Sequence, residues 1–296
     1  MVDDVTAFGA TSGGVTSIPG VLDAHVHFWD PTELQYPWLE GLPALGRPFL
    51  SPDYANATVS VPIDAIILVE ANCLPNQTLR EVELFERAAA VDGRVAGIVA
   101  YASLTATREL DRTLDALTAV PRVKGIRHNI QGEGPGFCTQ ASFVEGVQKV
   151  GSRGLTFDLC ATHDQLRDVL ELVRECPTAR FVLDHCGKPA IRDRLLDPWR
   201  ADVARLAECA NVWCKVSGLV TEAARGWQEV DLLPYASHVI EHFGTERVIY
   251  GSDWPVLTLA AGYSEWFRFA ERCTASWSDE ARRGFYRDNA RRAYDT

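Results

Sequence analysis

Val21-Leu22-Asp23-Ala24-His25-Val26-His27-Phe28-Trp29 (VLDAHVHFW, residues 21–29) places two histidines two positions apart in an apolar strand pattern. Side chains along a β-strand alternate between faces, so His25 and His27 are expected on one face, together with Asp23. Paired imidazoles suit a metal, a proton or a polarised carbonyl; the bland alternative makes one a core filler and the other a strand-end residue. The triplet gains meaning only if other strands end in matching chemistry.

Outward from this stretch, seven more short apolar runs occur, at 64–71, 94–101, 123–129, 155–161, 180–187, 211–218 and 247–255. Helical patterns lie between most of them, the first capped by Asn76 or Thr78 and reaching Asp92, with later ones over 105–119, 140–152, 163–175, 199–209 and 228–243. Eight strands alternating with helices predict an α/β protein built as a distorted (β/α)8 TIM barrel, its strands buried on both sides and its crossovers right-handed. An open doubly wound sheet is the competing architecture. It lacks support because no glycine-rich phosphate loop follows the first strand. Two last amphipathic stretches, near 264–273 and 278–294, are expected to complete the outer helical layer.

The 296 residues suit one such barrel, which needs about 250. Residues 1–20 read as a flexible leader and 21–296 as a single barrel domain. That leader carries acids where a signal peptide needs bases and has no long apolar core, and this predicts a cytoplasmic protein. A net charge of −11 and a pI near 5.1 argue against nucleic acid or an anionic membrane and for a small-molecule partner. The eight cysteines form no C-x-x-C pair, the usage of reduced, buried thiols. Cys186 follows a histidine, but no base is assigned to it.

In a parallel barrel the catalytic groups sit at the C-terminal ends of the strands. The unusual polar residues of this chain fall there: His25 and His27, Arg127 and His128, Asp158, His185, Lys215 with Ser217, and Asp253. A buried Asp must be paired, hydrogen-bonded or metal-bound, so strands 1, 6 and 8 are expected to converge on one centre. His163, His238 and His242 lie in or beside helices and read as packing or surface residues.

DAHVHFWDP (23–31), YPWL (36–39), VKGIRHNIQ (123–131), FVLDHCGKP (181–189), NVWCKVSGL (211–219) and VIYGSDWPV (248–256) together resemble the amidohydrolase superfamily. The resemblance is to the branch that includes L-fuconolactonase, L-rhamnonolactonase and 2-pyrone-4,6-dicarboxylate lactonase. It implies that His25, His27 and His185 surround the reacting carbonyl and that Asp253 activates the attacking water. Ester hydrolysis is consistent with that, because charge develops on the carbonyl oxygen and the water must lose a proton. These four residues also offer three or four N/O ligands for one zinc or manganese ion, and the alternatives of one divalent metal and none both stay open. Lys124 lies at the wrong end of its strand for the two-metal pattern of the wider superfamily.

A sugar lactone wants hydroxyl partners and stacking surfaces, which Trp29, Tyr36, Trp38, Glu70, Asn72 and Trp254 are expected to supply. A pyrone dicarboxylate would want an arginine cluster; Arg127 is well placed and Arg47 is a second candidate. The W-D-P…Y-P-W segment resembles the sugar-lactonase branch, so the expected activity is hydrolysis of an aldonolactone in carbohydrate catabolism. Only one of Arg127 and His128 can face the interior, and Lys215 reads as a support behind the reacting groups. A metal-dependent non-oxidative decarboxylase is the alternative activity, and a barrel used only for binding is the non-enzymatic one.

Overall fold

The computed structural model describes residues 20–296. Of the expected leader, residues 1–19 lie outside these. Eight strands pair in parallel in strict sequence order: β1 (Val21–Val26), β2 (Ile63–Val69), β3 (Val95–Tyr101), β4 (Val123–Arg127), β5 (Thr156–Leu159), β6 (Arg180–Leu183), β7 (Val212–Val216) and β8 (Val248–Tyr250). Helices cover the outside: α1 (Ser51–Ala57), α2 (Thr78–Val91), α3 (Thr107–Thr118), α4 (Ala141–Ser152), α5 (Leu166–Glu175), α6 (Trp199–Ala207), α7 (Leu219–Glu222), α8 (Glu229–Phe243) and α9 (Tyr263–Cys273). This is a single (β/α)8 barrel.

The seam between β1 and β8 is closed just beyond the last strand. Asp253 N–H donates to the His25 carbonyl (2.9 Å) and His27 N–H to that of Trp254 (2.8 Å). The closure therefore runs through the segments that carry the candidate chemistry. Asp23 secures it from the side, accepting from Ser252 N–H (2.8 Å), Tyr263 Oη (2.8 Å) and Tyr54 Oη (3.0 Å).

Those tyrosines belong to α1 and α9, so Asp23 faces the helical layer while His25 turns inward, against the expectation that the two share a face. The β1–β2 register shifts between Asp23 and Val26. One slip in the pleat reverses the side on which later residues emerge.

The chain's end also departs from the expected outer layer. After α10 (Asp279–Arg283), α11 (Asn289–Tyr294) plugs the mouth at the N-terminal ends of the strands. Ala290, Ala293 and Tyr294 pack with Leu22, Ile67 and Val182 inside the barrel, and Thr156 at the start of β5 donates its hydroxyl to the Ala293 carbonyl (2.5 Å). Amphipathic periodicity shows that a helix buries one face, not which surface receives it. Among the described residues no helix is long and apolar enough to cross a membrane.

Candidate active site

At the opposite mouth, the turn after β6 has an unusual backbone. His185 (φ 53°), Cys186 (φ 55°), Gly187 (φ 70°) and Lys188 (φ 44°) are all left-handed, a conformation costing roughly 1–3 kcal/mol for each non-glycine residue. Packing and hydrogen bonds hold it. Trp199 Nε1 donates to the Cys186 carbonyl (2.7 Å) and Lys188 N–H to that of His185 (2.9 Å). The turn carries both His185 and Lys188 to the wall of a cavity of about 190 Å3 that Asp253, His27 and Arg127 also line. Asp253 is itself left-handed (φ 62°).

Four lone-pair carriers meet there. Asp253 Oδ1 lies 3.3 Å from His27 Nε2, 3.8 Å from His25 Nε2 and 4.0 Å from His185 Nε2, and the two Nε2 atoms of His25 and His27 are 3.1 Å apart. His27 Nδ1 faces the Val69 carbonyl (2.9 Å), which can only accept, so the proton sits on Nδ1. His25 Nδ1 faces both Asp184 Oδ1 (3.3 Å) and the Lys215 ammonium (3.2 Å). The His27 Nε2 lone pair therefore points at His25 and at a carboxylate, an arrangement compatible with a cation between them.

Burial keeps His25 well below the ordinary imidazole range and brings His185 down to about 4. Burial alone would raise the Asp253 carboxyl, but His185, His27 and His25 outweigh it and hold the group ionised. Neutral imidazoles beside a carboxylate form a donor set that suits a divalent metal. One ligand atom each from His25, His185 and Asp253 lies within 4.8 Å of the others, and His185 is steadied from behind by Ser217 Oγ (2.9 Å from Nδ1).

Beneath the imidazoles runs a buried ionic chain. Lys215 Nζ contacts Asp158 (2.6 Å), Asp184 (2.9 Å) and His25 Nδ1 (3.2 Å), while Tyr294 Oη donates to Asp158 (2.8 Å) from the plug at the far end. Burial would lower Lys215, but the two carboxylates raise it and keep it charged. Lys215, expected as a support, is fully buried and touches the site only through His25 and Asp184. Asp158, by contrast with its expected place at the mouth, is pushed up to about 6, chiefly by burial, and serves that chain.

The expected substrate contacts divide sharply. Trp38, Asn72 and Arg127 line the cavity. Trp29 does not: it is fully buried, with Nε1 donating to the carbonyls of Leu45 (3.1 Å) and Arg47 (3.0 Å) and its ring edge-on to Trp38 and Phe49. Trp254 packs against Phe28, Phe49 and Tyr54, and Tyr36 is buried. These rings form an apolar collar that stiffens the loop after β1. Glu70 is fully buried and engaged by Arg127, Nε at 2.5 Å. His128 faces outward, accepting from Leu104 N–H (3.1 Å) among Tyr101, Phe137 and Phe143, so Arg127 is the one that points inward. Asn129, Gln131, Cys160 and Lys188 also line the cavity and were not expected. The first two stand in VKGIRHNIQ and Lys188 in DHCGKP, so the motifs held the signal.

The sequence pattern of the family described as "Amidohydrolase" matches residues 22–296. An L-fucono-1,5-lactonase of Burkholderia multivorans is 33% identical over 276 residues, covering 88% of this chain and 91% of that protein. An L-rhamnono-gamma-lactonase of Scheffersomyces stipitis is 28% identical over 204 residues, covering 58% of this chain and 59% of that one. Among solved structures, an amidohydrolase from Burkholderia multivorans with bound zinc superimposes with a TM-score of 0.84 at 31% identity, over 94% of this chain and 99% of that one. Matched over nearly its whole length, and with its polar centre at the mouth where such barrels do their chemistry, the chain belongs to the amidohydrolase family.

Proposed function

We propose that this protein hydrolyses the ring ester of a small sugar lactone, an aldonolactone. The observation that carries the reading is Asp253 Oδ1 lying 3.3–4.0 Å from three imidazole Nε2 atoms on the wall of a cavity the size of one sugar ring. Two relatives with lactonase names support the substrate class.

Asp253, ionised throughout the neutral range, takes a proton from the water that adds to the lactone carbonyl carbon. The tetrahedral intermediate collapses with cleavage of the bond to the ring oxygen, which keeps the electron pair and takes the proton back from Asp253. His25, His27 and His185 flank the carbonyl oxygen, where charge develops. When a divalent cation is held by His25, His185 and Asp253, with His27 beside them, it supplies Lewis-acid polarisation of that carbonyl.

The cavity disfavours a pyrone dicarboxylate. Arg127 is consumed by Glu70 through Nε (2.5 Å) and the Glu70 carbonyl through Nη2 (2.7 Å), with Asp184 3.3 Å from Nη1. Arg47 is exposed, paired with Asp53 (2.8 Å) and stacked on Phe49. Neither forms a carboxylate clamp. Asn72, Asn129 and Gln131 suit hydroxyl groups instead, and Asn129 Oδ1 is buried without a partner. As part of the same reading, the eight free thiols fit work in the cytoplasm.

The test is a pH-indicator screen of aldonolactones, beginning with L-fucono-1,5-lactone, before and after chelation. Stoichiometric acid release supports the reading. Release of CO2 from an aromatic acid, with no lactone turned over, would replace it with a decarboxylase.

A further inference from the structure

Lys188 has no role in the steps above, yet it lines the same cavity as the reacting groups. It lines the cavity beside His185 and Asp253, placed there by the strained left-handed turn after β6. Three residues after His185 in a tight turn, it shares that residue's side of the turn. Such strain persists where the surrounding structure over-determines it, and it concentrates at functional sites.

Two cationic side chains line the cavity among the described residues. Arg127 is held by Glu70 through Nε and Nη2 with Asp184 3.3 Å from Nη1, whereas Lys188 Nζ has a single long contact, 3.4 Å to Glu222 Oε1 in α7. An ammonium has three N–H donors. Glu222 is partly exposed, so it tethers the ammonium without removing its charge from the cavity. Burial would lower Lys188, but Cys160, Glu222 and Asp253 outweigh it and raise the group, so it stays cationic.

The mechanism leaves one demand unmet. The imidazoles attend to the carbonyl oxygen and Asp253 carries the water's proton, but negative charge builds on the ring oxygen before that proton reaches it, and no group yet named donates a hydrogen bond to it meanwhile. We propose that Lys188 is a catalytic residue of the lactone hydrolysis, its ammonium donating a hydrogen bond to the ring oxygen as the carbon–oxygen bond breaks. No proton leaves Lys188; the electron pair passes to the ring oxygen and the proton comes from Asp253. The inference rests on the lactonase reading.

The experiment compares wild type, Lys188→Met, Lys188→Arg and Lys188→Ala on an aldonolactone that the wild type turns over, with folding checked by thermal unfolding. For Lys188→Met, kcat falls roughly 100-fold, the scale of losing one donor to a developing oxyanion, while KM changes little. Lys188→Arg recovers part of the loss, and methylammonium, but not sodium at equal ionic strength, raises kcat of Lys188→Ala. Full kcat in Lys188→Met, a loss confined to KM, or rescue by sodium as well as by methylammonium would overturn the proposal. If Lys188→Met unfolds, the decision passes to Lys188→Ala and Lys188→Arg: a folded Lys188→Ala with full kcat, or a Lys188→Arg no more active than Lys188→Ala, counts against it. A wild type inactive on every lactone would instead sink the lactonase reading, and this inference with it.

Discussion

Gly218 lies so close to His185 that a β-carbon built on it would fall 2.5 Å from the imidazole Nδ1. The residue is also left-handed, with φ 64°, so both space and backbone require glycine. Gly218→Ala is therefore expected to push the His185 ring out of place. A displacement of about 1 Å at a reacting centre costs on the order of 100-fold in rate. Steady-state kinetics beside a denaturation curve checks this; wild-type kcat would show that the ring has room to move.

The buried chain below the imidazoles is a matter of stability as well as position. Lys215→Met leaves Asp158 and Asp184 without their shared cation, and breaking a buried pair by removing one partner costs about 3–5 kcal/mol. Tyr294→Phe removes one donor to Asp158 and is expected to cost about 1–3 kcal/mol. Urea denaturation of both variants measures the two losses. Equal losses would mean that the plug matters as much as the ion pair.

Glu81 supplies a pH signature away from the reacting groups. It accepts from Ala71 N–H (3.1 Å) and is raised to about 8, first by burial and then by the neighbouring Glu70. Between its unfolded value and about 8 the native state holds a proton that the unfolded state has lost. Its contribution to stability is thus greatest at acid pH and falls as pH rises through that window, by up to about 1.4 kcal/mol per pH unit. Glu81→Gln should flatten the decline measured between pH 5 and 8 ~. An unchanged slope would show that another group carries it.

The donor set makes a prediction about metal content. Elemental analysis of the purified protein is expected to find about one zinc or manganese per chain, and His185→Ala or Asp253→Asn to lower it. Wild type free of metal but fully active would leave the imidazoles to polarise the carbonyl alone.

The barrel was legible because its apolar runs are short, evenly spaced and separated by helical periodicity, and because His25, His27, His185 and Asp253 fall where strands end. Asp23 was misplaced because a slip in register leaves no trace in composition. The aromatic residues misled for another reason: Trp29, Tyr36 and Trp254 have the chemistry of a sugar platform, but the same area is worth as much in a collar, and Trp38 alone of the four reaches the cavity. Lys188 and Asn129 stand inside the motifs FVLDHCGKP and VKGIRHNIQ, but turn residues have no periodicity to show where they point.

The most direct test of the account is titration, at constant pH, of the acid released from L-fucono-1,5-lactone by wild type and by Asp253→Asn, corrected for spontaneous opening. Wild type should release acid in step with lactone consumed. The variant should unfold at a similar temperature yet lose roughly 100- to 10,000-fold in kcat, the range for removing a general base. Near wild-type turnover by a folded Asp253→Asn would contradict the assignment of the base, and no acid from either protein would contradict the activity itself.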